Sequence, residues 1–153
     1  MVSSAMNQTN NTTDQLALLS LKSQIISDPF HFLDESWSPA ISVCHWVRVA
    51  CGSRRDFGNL TFLVSLDLGN DNFHGNLPQE VTRLRRLMFL DLSFNNFRGE
   101  VPSWFGFLHQ LQVTNIRNNS FTGSVPSSFS NMSTLETLNL NSNCIEGQIP
   151  KVI

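Results

Sequence analysis

The sequence predicts an α/β solenoid, a right-handed horseshoe segment of stacked units with short parallel strands on its concave face and a helical cap at the N terminus. Three observations carry that prediction. A period of 24 residues keeps leucine, asparagine, glycine and proline in phase through the second half of the chain. Ahead of it, 14–27 carries a broad apolar stripe at helical spacing. Between the two, Cys44 and Cys51 flank Trp46.

The period is read rung by rung. Leu66, Leu90 and Leu138 share one rung; Leu68, Leu92, Ile116 and Leu140 a second; Phe73, Phe97, Phe121 and Ile145 a third; Leu87, Leu111 and Leu135 a fourth. Gly75, Gly99, Gly123 and Gly147 keep the same spacing, each with a proline three residues on at Pro78, Pro102, Pro126 and Pro150. Such a period with Leu-x-Leu-x-x-Asn marks a leucine-rich repeat, whose units each contribute a short strand and bury their leucines only against their neighbours. In Leu90-Asp91-Leu92 the alternation sends both leucines inward and Asp91 onto the concave sheet. Asn95, Asn119 and Asn143 follow at the turn, where an amide both donates to and accepts from backbone groups that would otherwise be buried unpaired. Val81, Leu84 and Leu87, matched by Phe105, Leu108 and Leu111 and by Phe129, Met132 and Leu135, have the helical or 3₁₀ spacing that closes the convex side.

The cap helix follows from Leu16, Leu18, Leu19, Leu21, Ile25 and Ile26. Thr12 and Gln15 form a candidate capping box, and Asp28-Pro29 ends the helix because the residue before proline avoids helical geometry. Its apolar face is expected to cover the open end of the first repeat.

Composition narrows the function. A net charge of −2 and a pI near 6.0 give no reason to expect nucleic acid or an anionic membrane as partner. No stretch approaches the ~18 apolar residues of a membrane span, and the first fifteen residues lack the apolar run of a secretory signal. The spacing of Cys44 and Cys51 suits neither a thioredoxin-type pair nor a zinc knuckle, which favours a structural disulfide and an oxidising compartment; Cys144 is left over. Glycosylation acceptors occur at Asn7, Asn10, Asn11, Asn59, Asn118 and Asn131. His31, His45, His74 and His109 are scattered, without metal-ligand spacing or a neighbouring nucleophile, and phosphate loops and paired acid/base carboxylates are absent. The expectation is a protein that is not an enzyme and takes no cofactor or metal.

Ala17-Leu18-Leu19, Lys22, Asp28-Pro29, Ser36-Trp37 and the run from Cys44 to Cys51 resemble the plant-type N-terminal cap, and Asn96-Phe97-Arg98-Gly99-Glu100-Val101-Pro102 resembles the plant-specific repeat class. Together they look like a truncated ectodomain of a plant leucine-rich-repeat receptor-like kinase. That resemblance implies a secreted or plasma-membrane recognition module for a protein or peptide ligand in defence or developmental signalling, with a co-receptor docking alongside. It divides the chain into a disordered segment at 1–13, a cap at 14–56, and repeats at 57–153: a half repeat, three full repeats and an incomplete last one. A secreted inhibitor resembling the polygalacturonase-inhibiting proteins is the alternative, as is a poorly folded product. Arg48 stands where the cap pattern has glycine, Asp71 takes the first ladder position, and Thr114 replaces a core leucine at an expected cost of roughly 1–3 kcal/mol. Phe57, Leu60 and Leu63 match the closing half of a repeat whose opening half is missing, so a defective seam is expected there.

The solvent-facing concave positions are the default binding surface. Ligand-binding candidates are Asp67, Phe89, Asp91, Phe94, Asn115, Arg117, Asn139 and Asn141. Phe89 and Phe94 lead, because exposed aromatics are costly in water and enriched in hot spots; the competing reading packs them on each other. Arg117 offers forked donors to a carboxylate, against the commoner role of a solvated charge. Asn118, if glycosylated, sets a sugar at the edge of that face. Trp37 and Trp46 are expected to seal the cap, and Trp104 to pack half-exposed on the convex side.

Overall fold

The computed structural model describes residues 2–53 and 61–148. Helix α1 (Val2–Gln24), strand β1 (Ile25–Ser27) and helix α2 (Phe32–Ser36) precede strands β2 (Val49–Ser53), β3 (Thr61–Asp67), β4 (His74–Asn76), β5 (Phe89–Asp91), β6 (Asn96–Glu100), β7 (Val113–Asn115), β8 (Ser120–Thr122) and β9 (Thr137–Asn139). The strands make two sheets, β2-β3-β5-β7-β9 and β1-β4-β6-β8. In the first, β3, β5, β7 and β9 run parallel, and the sequence period becomes the register: Leu66 beside Leu90, Leu90 beside Thr114, Thr114 beside Leu138. Short 3₁₀ segments at Gln79–Arg83, Ser103–Phe107 and Ser127–Asn131 close the other side, each starting after a proline. This is the expected solenoid.

Each turn is held by the coil that follows it. Asn95 Oδ1 accepts from the Phe73 amide at 2.9 Å, while its Nδ2 donates to the carbonyls of Leu68 (2.7 Å) and Leu92 (3.0 Å). Asn119 and Asn143 repeat the pattern on Phe97 and Phe121. Only an amide can both donate and accept in this way. Beneath the ladder, Phe73, Phe97 and Phe121 are buried. Thr114 is buried too, and its hydroxyl has no hydrogen-bond partner among the described residues, so the expected cost of a stranded polar group applies.

The second sheet was not anticipated. The Gly-x-Val/Ile-Pro stretches read as turns, yet the residues just before and around each glycine pair with the next coil as β4, β6 and β8. Ile25–Ser27 joins them antiparallel, so the helix ends at Gln24 rather than continuing to Ser27. Gly75 permits this approach: it sits at φ 130°, and a Cβ there would collide with the Gln24 carbonyl.

At the other end α1 begins at Val2, so the segment expected to be disordered is helical and Thr12 lies inside the helix rather than capping it. No glycine or proline between Val2 and Thr13 interrupts a helix once its second half is docked. The described part of the cap docks on the first repeat. Ala17, Leu18, Leu21, Leu33, Trp37, Val43 and Trp46 belong to the same buried cluster as Leu63, Leu66 and the repeat leucines, and β2 pairs antiparallel with β3. The seam expected around Phe57 and Leu60 lies outside the described residues. Trp37 and Trp46 stack at 5.4 Å and donate their indole N–H groups to the carbonyls of Val47 and Ile41. Cys44 and Cys51 are disulfide-bonded, and Trp104 packs edge-on against Phe105 at 4.8 Å.

Asp14 ties α1 to the sheet, accepting from the Leu63 amide at 3.1 Å. Burial pushes its carboxyl from 3.8 up to about 6, opposed by that hydrogen bond and by Arg86. The folded state therefore holds the proton more tightly than the unfolded one, and ionisation at neutral pH costs the fold on the order of 3 kcal/mol. Asp14's contribution to stability is expected to be greatest below pH 3.8, to fall as pH rises to about 6, and to be flat above. Thermal melts of Asp14→Asn should lose that part of the pH dependence and run higher than the parent at pH 7.

Candidate functional site: the concave rim

The strand rungs set the site. Asp67, Asp91, Asn115 and Asn139 occupy equivalent outward positions, in register across β3, β5, β7 and β9. Each accepts, through Oδ1, the backbone N–H two residues on: Gly69 at 3.0 Å, Ser93 at 2.8 Å, Arg117 at 3.1 Å and Asn141 at 3.1 Å. Asp91 also takes the Ser93 hydroxyl at 2.6 Å and the Asn115 amide at 3.2 Å. Four candidate ligand-binding residues thus hold the strand ends in shape, which leaves them only part of their hydrogen-bonding capacity for a ligand.

The next rung is different. Asn70, Phe94, Asn118 and Ser142 all lie in the left-handed region, at φ 62°, 55°, 53° and 57°. Asparagine tolerates that geometry because its short polar side chain bonds locally; a phenylalanine there carries strain of order 1 kcal/mol. Phe94 is 41% exposed besides. The Arg117 guanidinium lies over its ring at 5.3 Å from the centroid, and Arg117 is itself exposed. Phe89 is half-buried between Ser65 and Val113, and it makes no ring contact with Phe94. Asn141 is exposed one strand beyond Arg117, its carbonyl taken by the Asn118 amide at 2.9 Å.

The cap extends this rim, which the sequence reading missed. Arg48 O accepts from the Asp67 amide, and Arg48 has φ 68°, in the left-handed region that favours glycine. Its guanidinium reaches Asp71 Oδ1 at 2.7 Å and lies 5.6 Å from the centroid of the Phe32 ring. Asp71 is buried; burial pushes its carboxyl above 3.8, opposed by Arg48 and reinforced by Asp67 and Asp28. The two departures from the repeat pattern are therefore partners: an acid that cannot donate in the ladder is compensated by a cation where glycine is expected. Reading positions 48 and 71 together, rather than as separate exceptions, was the available signal.

Other candidates stay apart. Asn118 is half-buried at its turn, Asn131 is exposed at the end of a 3₁₀ segment, and Asn59 lies outside the described residues. Cys144 is free and exposed. Among the described residues, no group of His, Cys, Asp or Glu side chains could hold a metal ion, and no helix is long and apolar enough to cross a membrane.

A double-mutant cycle tests the Arg48–Asp71 coupling. Arg48→Gly is expected to cost about 2 kcal/mol, because it leaves a buried carboxylate without its counter-ion, and Asp71→Asn about 1 kcal/mol. The double variant should return to within about 1 kcal/mol of the parent in denaturant melts, whereas additive losses would show that the groups act independently.

Known proteins share this architecture. Residues 11–52 match the leucine-rich-repeat N-terminal domain, and residues 85–145 match the leucine-rich repeat. The LRR receptor-like serine/threonine-protein kinase EFR of Arabidopsis thaliana is 34% identical over 97 residues, covering 51% of this chain and 9% of that protein. The solved PEPR1–AtPEP1 structure superposes with a TM-score of 0.79 at 28% identity, over 90% of this chain and 19% of the matched one. A chain of the BIR3–SERK2 complex from Arabidopsis thaliana superposes with a TM-score of 0.63 at 26% identity, over 92% of this chain and 87% of its own. This chain thus spans a small part of the receptor kinase it resembles. With its disulfide-closed cap, in-phase coils and two matched segments, the chain belongs to the leucine-rich-repeat proteins, built as the plant leucine-rich-repeat receptor-kinase ectodomains are.

Proposed function

We propose that this chain is a non-catalytic, extracellular recognition module, part of a plant receptor-like kinase or receptor-like protein, and that its concave rim binds an extended peptide or a partner ectodomain. Phe94 carries the reading. A large aromatic side chain is held in a strained backbone geometry, exposed, beneath a guanidinium, at a position where two other repeats place asparagine. Neither exposure nor strain benefits the fold, and a ligand that covers the ring removes the exposure. Arg117 adds two forked donors toward a ligand carboxylate or carbonyl. Asp67, Asp91, Asn115, Asn139 and Asn141 then form the polar surround, and Phe89 a half-buried floor. The PEPR1–AtPEP1 and BIR3–SERK2 complexes support the two classes of partner, since both are structural neighbours of this chain. The disulfide and the exposed Asn131 acceptor suit secretion and glycosylation.

The test separates fold from function. Peptides selected from a random linear display library on the immobilised chain are measured against Phe94→Asn and Arg117→Ala. Phe94→Asn relieves the left-handed strain, so it should melt at or above the parent temperature while weakening selected peptides about tenfold or more. Peptides that bind both variants as tightly as the parent would contradict the reading.

A further inference from the structure

We infer that a second binding site lies on the opposite edge of the solenoid, in a cleft of about 670 Å³ between α1 and the turn that follows Gln79–Arg83, and that it holds an acidic peptide segment of a partner protein. This inference does not rest on the concave-rim reading. The turn leads into the start of β5, whereas Phe94 and Arg117 stand past the strand ends.

Three of the chain's ten basic residues, Arg83, Arg85 and Arg86, line this one cleft. The Arg86 guanidinium lies over the Phe62 ring, 3.9 Å from the centroid. Arg83 and Arg85 are exposed. Among the described residues, ion pairs are confined to Lys22–Asp34, His31–Asp34 and Arg48–Asp71, so none of the three guanidinia is neutralised by a carboxylate in contact. The acidic group lining the cleft is Asp14, which spends its hydrogen bond on the Leu63 amide at 3.1 Å. A chain of net charge −2 thus gathers three guanidinia against the single carboxylate of Asp14, which interacts with Arg86, leaving a local positive excess at one concave place.

The shape of the donors selects the ligand. Guanidinium forks match planar carboxylates in paired geometry, and three of them within four residues suit acidic side chains spaced along an extended segment. The wall contributed by α1 carries one apolar spot beside Thr13 and Asp14, since Leu16 is 54% exposed near the arginines. An aliphatic side chain between two acidic ones would cover it. A polyuronate chain carries no aliphatic side chain to cover Leu16.

The probe is a fluorescein-labelled Asp-Leu-Glu-Asp-Leu-Glu peptide, followed by anisotropy at ~50 mM salt, where surface charges are weakly screened. Its Asn-Leu-Gln-Asn-Leu-Gln counterpart, the variants Arg83→Ala/Arg85→Ala and Arg98→Ala, and an oligogalacturonate complete the set. The acidic peptide is expected to bind and its amide counterpart not; the double variant should weaken binding about tenfold or more, and Arg98→Ala less than about twofold. If the alanine variant melts early, Arg83→Lys/Arg85→Lys carries the test: it keeps the charge, loses the forks, and should still weaken binding severalfold. Equal binding of both peptides, undiminished binding by the double variant and its lysine form, or oligogalacturonate binding where the acidic peptide fails would each overturn the assignment. Peptides selected on the concave rim should bind the double variant normally, so the two sites fail separately.

Discussion

No coil of this chain can bury its own apolar face, and everything else follows from that constraint. A single turn of 24 residues exposes its inward leucines above and below until neighbours cover them. The stack therefore makes one core, which runs from Ala17 in the cap to Met132 just past the last 3₁₀ segment. The same stacking would bury unpaired backbone groups at every turn, and the asparagine of each following coil satisfies them. Inside, chemistry is exhausted by packing and the ladder; outside, regularly spaced side chains are free to vary, which is the condition for recognition.

The cost of irregularity collects where coil meets cap. Asp71 breaks the ladder and is stabilised by Arg48, which occupies a glycine conformation to reach it. Asp14 bridges α1 and β3 as a buried carboxylate whose ionisation the fold resists. Both are polar solutions to a boundary at which the periodic solution, an amide on the next coil, is not available. Thr114 shows the alternative: inside the stack it has no such partner, and its hydroxyl is stranded.

Much of this architecture was legible in the residues. The rungs of leucine and phenylalanine became strand register and core, because period and stacking are the same fact seen in one dimension and in three. The disulfide and the tryptophan seal were legible for the same local reason: those residues are close in sequence and have few other partners. What was hidden depended on contacts between unrelated segments. β1 joins the second sheet because Gly75 lets it approach, a steric fact invisible to periodicity. The helical segment before Asp14 has too few apolar residues for a stripe to reveal it. At the site, alternation could not show that Asp67, Asp91, Asn115 and Asn139 bind their own backbone, nor that Phe94 sits in a left-handed turn.

Hydrogen–deuterium exchange on the intact, oxidised chain tests the central claim of one shared interior most directly. The amides of the cap's buried residues, such as Leu18 and Leu21, and those held by the ladder, Phe97 and Phe121, should exchange through a common opening with the same free energy and the same denaturant dependence. Cap amides that exchange through a separate opening of lower free energy, with the repeat amides still protected, would contradict it.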